Sequence, residues 1–450
     1  MDRKEFINRL FERARQLDPA AKCEAVWGAT SEFEVERAKG ERVAYNVSDG
    51  GGLGFRVLSG GRMGYASTQI LDEEAIELLA AGALENAALV ESEDRQFMFP
   101  GSDSYPELVT WSPALEEVSA ADKLALVERL EQLTLAQDER IDQAMASIFS
   151  MGGETAMVNT EGLDVAMKSN VLGGYVEAVA REGEKVNTGF KMFFTMDPEQ
   201  IDLEKVARAA AHEAVSGLDA VQAPSGSYRV LLRSDVAATL LSTFSGVFSA
   251  DNAQRGLSRL KGREGEAIAS GCVTLLDNPH LAGSAASAPF DGEGVATYEK
   301  AVIEDGRLNT LLHNLKTAHK QGVGTTANGS RPGYAAPVGV APSNFYFKPT
   351  DVSFDGMLEK LGDGLLVTEM QGMHAGANPI TGDFSLAAKG FMVRGGRMAE
   401  AVAQITIAGN FYELLGGIEA VGGDLEFLAP GGSCFGSPSL IVEKLSVAGK

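Results

Sequence analysis

"GLGFRVLSGGRMGYASTQ", residues 52–69, runs almost directly into "LDEEAIELLAAGALENAAL", residues 71–89. In the first piece apolar positions alternate on either side of a Gly60-Gly61 pair. That pattern reads as two strands and a tight turn, because glycine accepts the positive φ that hairpins need. The second piece has helical apolar spacing, with Asp72 as N-cap and acidic residues in the first turn, where the helix dipole favours them. The same plan recurs further along, where "LGGYVEAVAREGEKVNTGFKMFFTM" (172–196) leads into "DLEKVARAAAHEAVSG" (202–217). Fold class follows from that repetition.

Outward from these two stretches the match extends. Residues 2–17 place Phe6, Leu10 and Phe11 on one helical face, and the alternating segments "EFEVERAKG" and "ERVAYNVSD" follow as further short strands. On the other side a helix at 119–136 starts from a Ser/Ala/Asp cap and precedes the strand-like "QAMASIFSM" and "ETAMVNTEG". The chain thus reads as α+β, with a helix–meander–helix module present twice, at 1–92 and 119–217. Paired glycines at 50–52, 60–61 and 395–396 are all taken as turns. The Pro/Gly/Ser-containing "QAPSGSYRV" (222–230) marks the boundary between an N-terminal domain, 1–221, and a C-terminal domain, 222–450. The latter is β-rich, a barrel or a curled sheet. It holds one alanine-rich helix at 235–250, a second helix in "NFYELLGGIEAVG", and a hairpin turning at Asp305-Gly306.

A net charge of −23 argues against nucleic acid, whose phosphates require clustered Lys and Arg. No apolar run approaches the roughly 20 residues that span a bilayer, so no membrane association is expected. The charged N-terminal helix lacks the apolar run of a signal peptide, and Cys23, Cys272 and Cys434 are far apart, so a cytoplasmic, disulfide-free protein is expected.

"AAAHEAVSGLDA" (209–220) contains the first half of a helical zinc-hydrolase signature. Such a site needs two imidazoles on one helix face, a glutamate beside the first, and a third ligand. After His212-Glu213, Ser216 and Gly217 stand where the second histidine is required. Neither replaces an imidazole, so this is not a metal site. The remaining histidines form no replacement: His313 and His319 in "HNLKTAH" face different ways on a helix and read as surface residues. The Gly-rich "GGGLGF" and "GVGTTANGS" lack the Gly-Lys-Ser/Thr of a phosphate loop and read as turns.

The segments "SGSYRVLLRSDVAATLL", "GEAIASGCVTLLDNP", "FDGEGVATYEKAVIEDGRLNTLLHNLKTA", "GANPITGDFSLAAKGFMVRGGRMAEAVAQITIAGNFYELL" and "GGSCFGSPSLIVEKLSVAG" together resemble the TldD/PmbA family of peptide-degrading proteins, also described as modulators of DNA gyrase. The resemblance covers most of the C-terminal half and is weaker before it. It implies a zinc motif, His-Glu-x-x-x-His, directly after Leu240-Leu241, with a distant cysteine as third ligand. Residue by residue these positions are Ser242, Thr243 and Val247, and the cysteine falls on Cys434. The pattern is similar to the PmbA (TldE) kind of subunit: no cofactor of its own, with zinc in a TldD-like partner. By the same resemblance Asn344, in "APSNFYF", borders the cleft and is expected to bond a peptide backbone by strand addition. His374, Asn378 and Thr381, in a Gly-rich loop, are expected to contact an extended unfolded peptide. Two other readings stay open: a non-enzymatic homodimer that binds peptides or a protein, and a protease using Cys434 as nucleophile.

Overall fold

The computed structural model describes residues 1–91 and 94–450, so the last residue of the first expected module, 92, lies outside the described residues. The first module is α1 (Arg3–Leu17), β1 (Lys22–Ala38), β2 (Glu41–Ser59), β3 (Arg62–Thr68) and α2 (Glu73–Leu89). After the short α3 (Pro113–Glu116), the second is α4 (Ala120–Leu135), β4 (Ile141–Asn159), β5 (Asp164–Glu182), β6 (Lys185–Thr195) and α5 (Leu203–Ser216). Side chains of Asp2, Asp72, Ser119 and Asp202 cap their helices, each accepting a backbone N–H three residues on. The modules share one antiparallel sheet, in the order β3-β2-β1-β4-β5-β6, joined where β1 pairs with β4.

The meander differs from the sequence reading in one respect. Four short strands were expected in the first module; three form, because "ERVAYNVSD" and "GLGFRVLSG" belong to the single strand β2. Gly60-Gly61 and Gly395-Gly396 do make turns with positive φ, but Gly50–Gly52 run through the middle of β2. At Gly52, and at Gly54 just after it, the neighbours explain why small residues stand there. A Cβ on Gly52 would lie 2.4 Å from the ring of Tyr334, and one on Gly54 1.7 Å from the Tyr334 carbonyl oxygen. Gly52 and Gly54 admit a segment of the C-terminal half onto the sheet.

Odd-numbered residues of β1 face the helices. Cys23 and Ala25 pack with α1 and α2, Phe33 and Val35 with α4 and α5, so one sheet face carries two adjacent cores. On the opposite face Val26 packs with Phe290 of the C-terminal half. Alternation along a strand produces both surfaces from one sequence.

The C-terminal half begins with β7 (Gly226–Leu232), α6 (Ser234–Phe244), a 3₁₀ turn at Ser245–Phe248 and α7 (Ala250–Gln254). The helix expected over 235–250 is therefore broken. Next come β8 (Leu275–Asp277), β9 (Lys300–Glu304), β10 (Arg307–Leu308), α8 (Leu315–Gln321), β11 (Gly329–Ser330), β12 (Gly339–Val340), β13 (Asn344–Phe347), α9 (Phe354–Leu361), β14 (Gly364–Gln371) and α10 (Met373–Gly376). The chain ends with β15 (Asp383–Arg394), β16 (Arg397–Asn410), α11 (Phe411–Gly416), β17 (Ile418–Val421), β18 (Glu426–Phe427), β19 (Cys434–Ser437) and β20 (Leu440–Ala448). The helix read in "NFYELLGGIEAVG" stops at Gly416, and its remainder is β17.

β16, β15, β14, β7 and β20 follow one another, and β16 also pairs with β20, which closes a five-stranded barrel. A second sheet, β10-β9-β8-β13-β19-β18, packs beside it, and Phe244, Phe248, Phe345 and Phe411 fill the shared core. The expected Asp-Gly hairpin is present between β9 and β10, with positive φ at both Asp305 and Gly306. Val221, expected to end the N-terminal domain, already bridges Val402 of β16.

Candidate functional site

A cavity of about 590 Å³ lies where the N-terminal sheet meets the C-terminal half. Its sheet wall includes Gly28, Glu32, Gly152, Gly153 and Asn170, with small residues leaving the space. Its other wall includes Phe290, Asp291, Asn328, Arg331, Tyr334, Ser343 and Gly432.

The junction beside the cavity is held by buried charge. Glu24 of β1 is fully buried and accepts from Arg56 Nη2 at 2.9 Å and from Arg331 Nη2 at 2.6 Å. Burial pushes the Glu24 carboxyl up, but the two guanidiniums outweigh it and hold the group below the usual carboxylate range. Asp291 accepts the backbone N–H groups of Glu293, Val295 and Gly329 at 2.8, 3.0 and 2.8 Å. Burial and then the nearby Glu293 carboxylate push Asp291 up to about 7. Burial likewise raises Glu293. None of these residues was singled out from sequence. A charged residue inside the apolar run "KCEAVWG" was the available signal, since alternation puts Glu24 on the face opposite Cys23 and Ala25.

The elements that carry the positions implied for zinc pack together, without the chemistry of a zinc site. α6, which carries Ser242 and Thr243, packs on β19, which begins at Cys434. Cys434 N–H donates to the carbonyl of Ser343, a residue of the cavity wall, so the thiol sits directly behind that wall. Thr243 Oγ1 is spent on the carbonyl of Thr239 (2.8 Å), and Val247 is 1% exposed within the core. Cys434 is buried, its Sγ lies 3.5 Å from the Leu428 carbonyl, and burial pushes its thiol up to about 11. Two hydroxyls and an isopropyl group beside a single thiol, with no imidazole, do not make a zinc donor set. Among the described residues no group of three or more His, Cys, Asp or Glu could hold a metal ion.

Asn344 is placed differently from the strand-addition reading. It is fully buried, accepts from Ser284 Oγ (2.5 Å), and donates to the Asn278 carbonyl (2.7 Å) and Ser287 Oγ (3.0 Å). Its strand β13 already has β8 on one side and β19 on the other, so no edge remains for a peptide there. His374, Asn378 and Thr381 share the loop between β14 and β15, but none lines the cavity. His374 is exposed, while Asn378 Oδ1 holds the turn by accepting from Ile380 N (3.0 Å) and Thr381 N (3.2 Å).

His313 corrects the surface reading. It is 1% exposed, precedes α8, and burial lowers its pKa. His319 stacks edge-on against Phe97. Glu213, the carboxylate of the near-motif, forms ion pairs with Arg233 and Lys191, each at 3.1 Å. Its role is to tie α5 to the start of α6.

Comparison with known proteins agrees with this architecture. Models of the PmbA/TldA metallopeptidase domain 1, central domain and C-terminal domain match residues 23–87, 113–218 and 225–449. The chain belongs to the PmbA/TldD metallopeptidase family. A metalloprotease PmbA homolog of Haemophilus influenzae is 29% identical over 94% of this chain and 93% of its own length. A Thermotoga maritima structure, described as a candidate modulator of a DNA gyrase, is 34% identical with a TM-score of 0.91, covering 99% of this chain and 100% of that one. TldE from Thermococcus kodakarensis shares the fold, with a TM-score of 0.89 at 22% identity over 99% of this chain and all of its own. Among the described residues no helix is long and apolar enough to cross a membrane.

Proposed function

We propose that this chain is the metal-free, PmbA/TldE-like subunit of a cytoplasmic TldD/TldE-type peptidase that degrades unfolded peptides. One observation carries the reading: the positions implied for zinc hold Ser242, Thr243 and Val247, with a lone buried Cys434 and no imidazole. This subunit walls the chamber and aligns the peptide, and a TldD-like partner supplies zinc and the general base. The cavity between the sheet and the C-terminal half offers backbone and small polar groups suited to an extended chain. His374, on its exposed loop, is the proposed outer contact, with Asn378 and Thr381 shaping that loop.

The test is reconstitution with a TldD-like subunit bearing an intact His-Glu-x-x-x-His. Hydrolysis of an unfolded peptide is expected from the mixed complex only, lost on chelation, and unchanged by Cys434→Ser in this chain. Chelator-insensitive hydrolysis by this chain alone, abolished by Cys434→Ser, would instead establish the thiol protease reading.

A further inference from the structure

A buried ion pair stands behind the cavity wall, with no task in the reading above. Asp277, the last residue of β8, is fully buried, and Lys300, the first of β9, is 8% exposed. Lys300 Nζ donates to Asp277 Oδ2 at 2.9 Å. Taking both charges out of water costs free energy that their attraction often fails to offset, and a well-packed apolar pair often holds two strands together as well. An apolar pair, however, offers nothing to polar neighbours.

Asp277 has two such neighbours, and both line the cavity. Asn328 Nδ2 donates to Asp277 Oδ2 at 2.7 Å, and Ser343 donates twice to Oδ1, from its backbone N–H at 2.7 Å and from Oγ at 2.8 Å. Asn328 spends both ends of its amide inside the protein: Nδ2 also donates to the Ala341 carbonyl (3.1 Å), and Oδ1 accepts from Thr326 Oγ1 (2.7 Å). The Ser343 carbonyl is taken by the Cys434 N–H. What Ser343 still has to offer is its hydroxyl oxygen. A hydroxyl carries one proton and two lone pairs. Here the proton is committed to Asp277, so Oγ serves an incoming group as an acceptor.

We propose that Ser343 Oγ accepts a backbone N–H from an extended peptide in the cavity, and that Asp277 and Lys300 are positioning residues that keep the hydroxyl in this one sense. The inference rests on the reading of the cavity as a peptide site, and it adds which backbone group is read there. It also makes Ser343 a specificity-determining contact. Proline has no N–H, and at the residue opposite Ser343 it would leave a desolvated acceptor without a donor. Peptides with proline at that residue are therefore rejected, whatever their side chains elsewhere.

The test is fluorescence anisotropy with a fluorescein-labelled peptide of alanine, serine and leucine, too simple to fold. It is added to the full chain, alone and mixed with a TldD-like subunit stripped of zinc. In a series of such peptides each backbone N–H in turn is replaced by an ester oxygen. One replacement should weaken binding about three- to tenfold, the worth of a single hydrogen bond. That step should vanish in Ser343→Ala and return in Ser343→Thr. Asp277→Leu with Lys300→Met releases the hydroxyl proton and should shrink the step; an unchanged step would overturn the role given to the ion pair. If that double variant fails to fold, the Ser343 series decides. Absence of peptide binding in both preparations, a series without such a step, or a step that persists in Ser343→Ala would overturn the proposal. So would hydrolysis by the chain alone that is lost in Ser343→Ala, since the hydroxyl would then be a nucleophile. A Ser343-dependent step with no hydrolysis by the zinc-loaded mixture would uphold this inference and overturn the peptidase reading.

Discussion

Glu24 shows how one buried residue binds the two halves. Its carboxylate accepts from Arg56 of its own sheet and from Arg331 of the loop between β11 and β12. Glu24→Gln leaves two largely buried guanidiniums short of a counter-charge. Unfolding in urea should show a loss of about 3–5 kcal/mol, the usual cost of breaking a buried pair from one side. A loss below about 1 kcal/mol would mean that the guanidiniums find other partners. Asp291 sets a pH dependence nearby. Its folded pKa of about 7 exceeds the unfolded value of about 3.9, so the folded state holds the extra proton. The stability tied to that proton is complete below about pH 4 and is lost as pH rises through about 7. Glu293→Gln removes the neighbouring carboxylate, and the decline in unfolding free energy over that window should become shallower than in the parent chain. For the thiols, burial raises Cys23 and Cys434 to about 11, while Cys272 is exposed. Iodoacetamide at neutral pH should modify Cys272 and leave the other two unmodified in the native protein, read by peptide mass spectrometry.

The glycines of β2 carry the element-scale argument. A methyl group at Gly54 would drive into the Tyr334 backbone, whereas at Gly50 the nearest neighbour is Thr30 Oγ1 at 3.4 Å. Gly54→Ala should cost about 1–3 kcal/mol as overpacking against the docked segment, and Gly50→Ala should be nearly silent. Equal effects would show that the glycines serve strand flexibility instead. These residues also show where sequence reading stopped. Alternation, caps and helix spacing are local, so the two modules, the helix–strand order and the Asp305-Gly306 hairpin were legible. A glycine that opens a turn and one that admits a distant tyrosine look identical in a single chain. Gly60-Gly61 and the run ending at Gly52 therefore received one explanation, and β2 was divided into two strands. The same limit applies to Asn344, because its three internal hydrogen bonds come from residues brought near only by folding.

For the whole molecule, the doubled module makes one broad sheet, and the closed barrel behind it needs no edge protection. The cavity lies at their junction, and Cys434 is hydrogen-bonded through its backbone to Ser343 of its wall. What could be read from sequence about the site was chiefly an absence, since missing imidazoles at Ser242 and Val247 are visible without coordinates. The buried Glu24–Arg56–Arg331 cluster depends on residues remote in sequence and was not visible. The central claim is that this chain does not hold zinc by itself. The direct measurement is elemental analysis of the purified chain after equilibration with zinc and removal of free metal. The account predicts far less than one zinc per chain and no change on Cys434→Ser; one tightly held zinc per chain, lost in that variant, would contradict it.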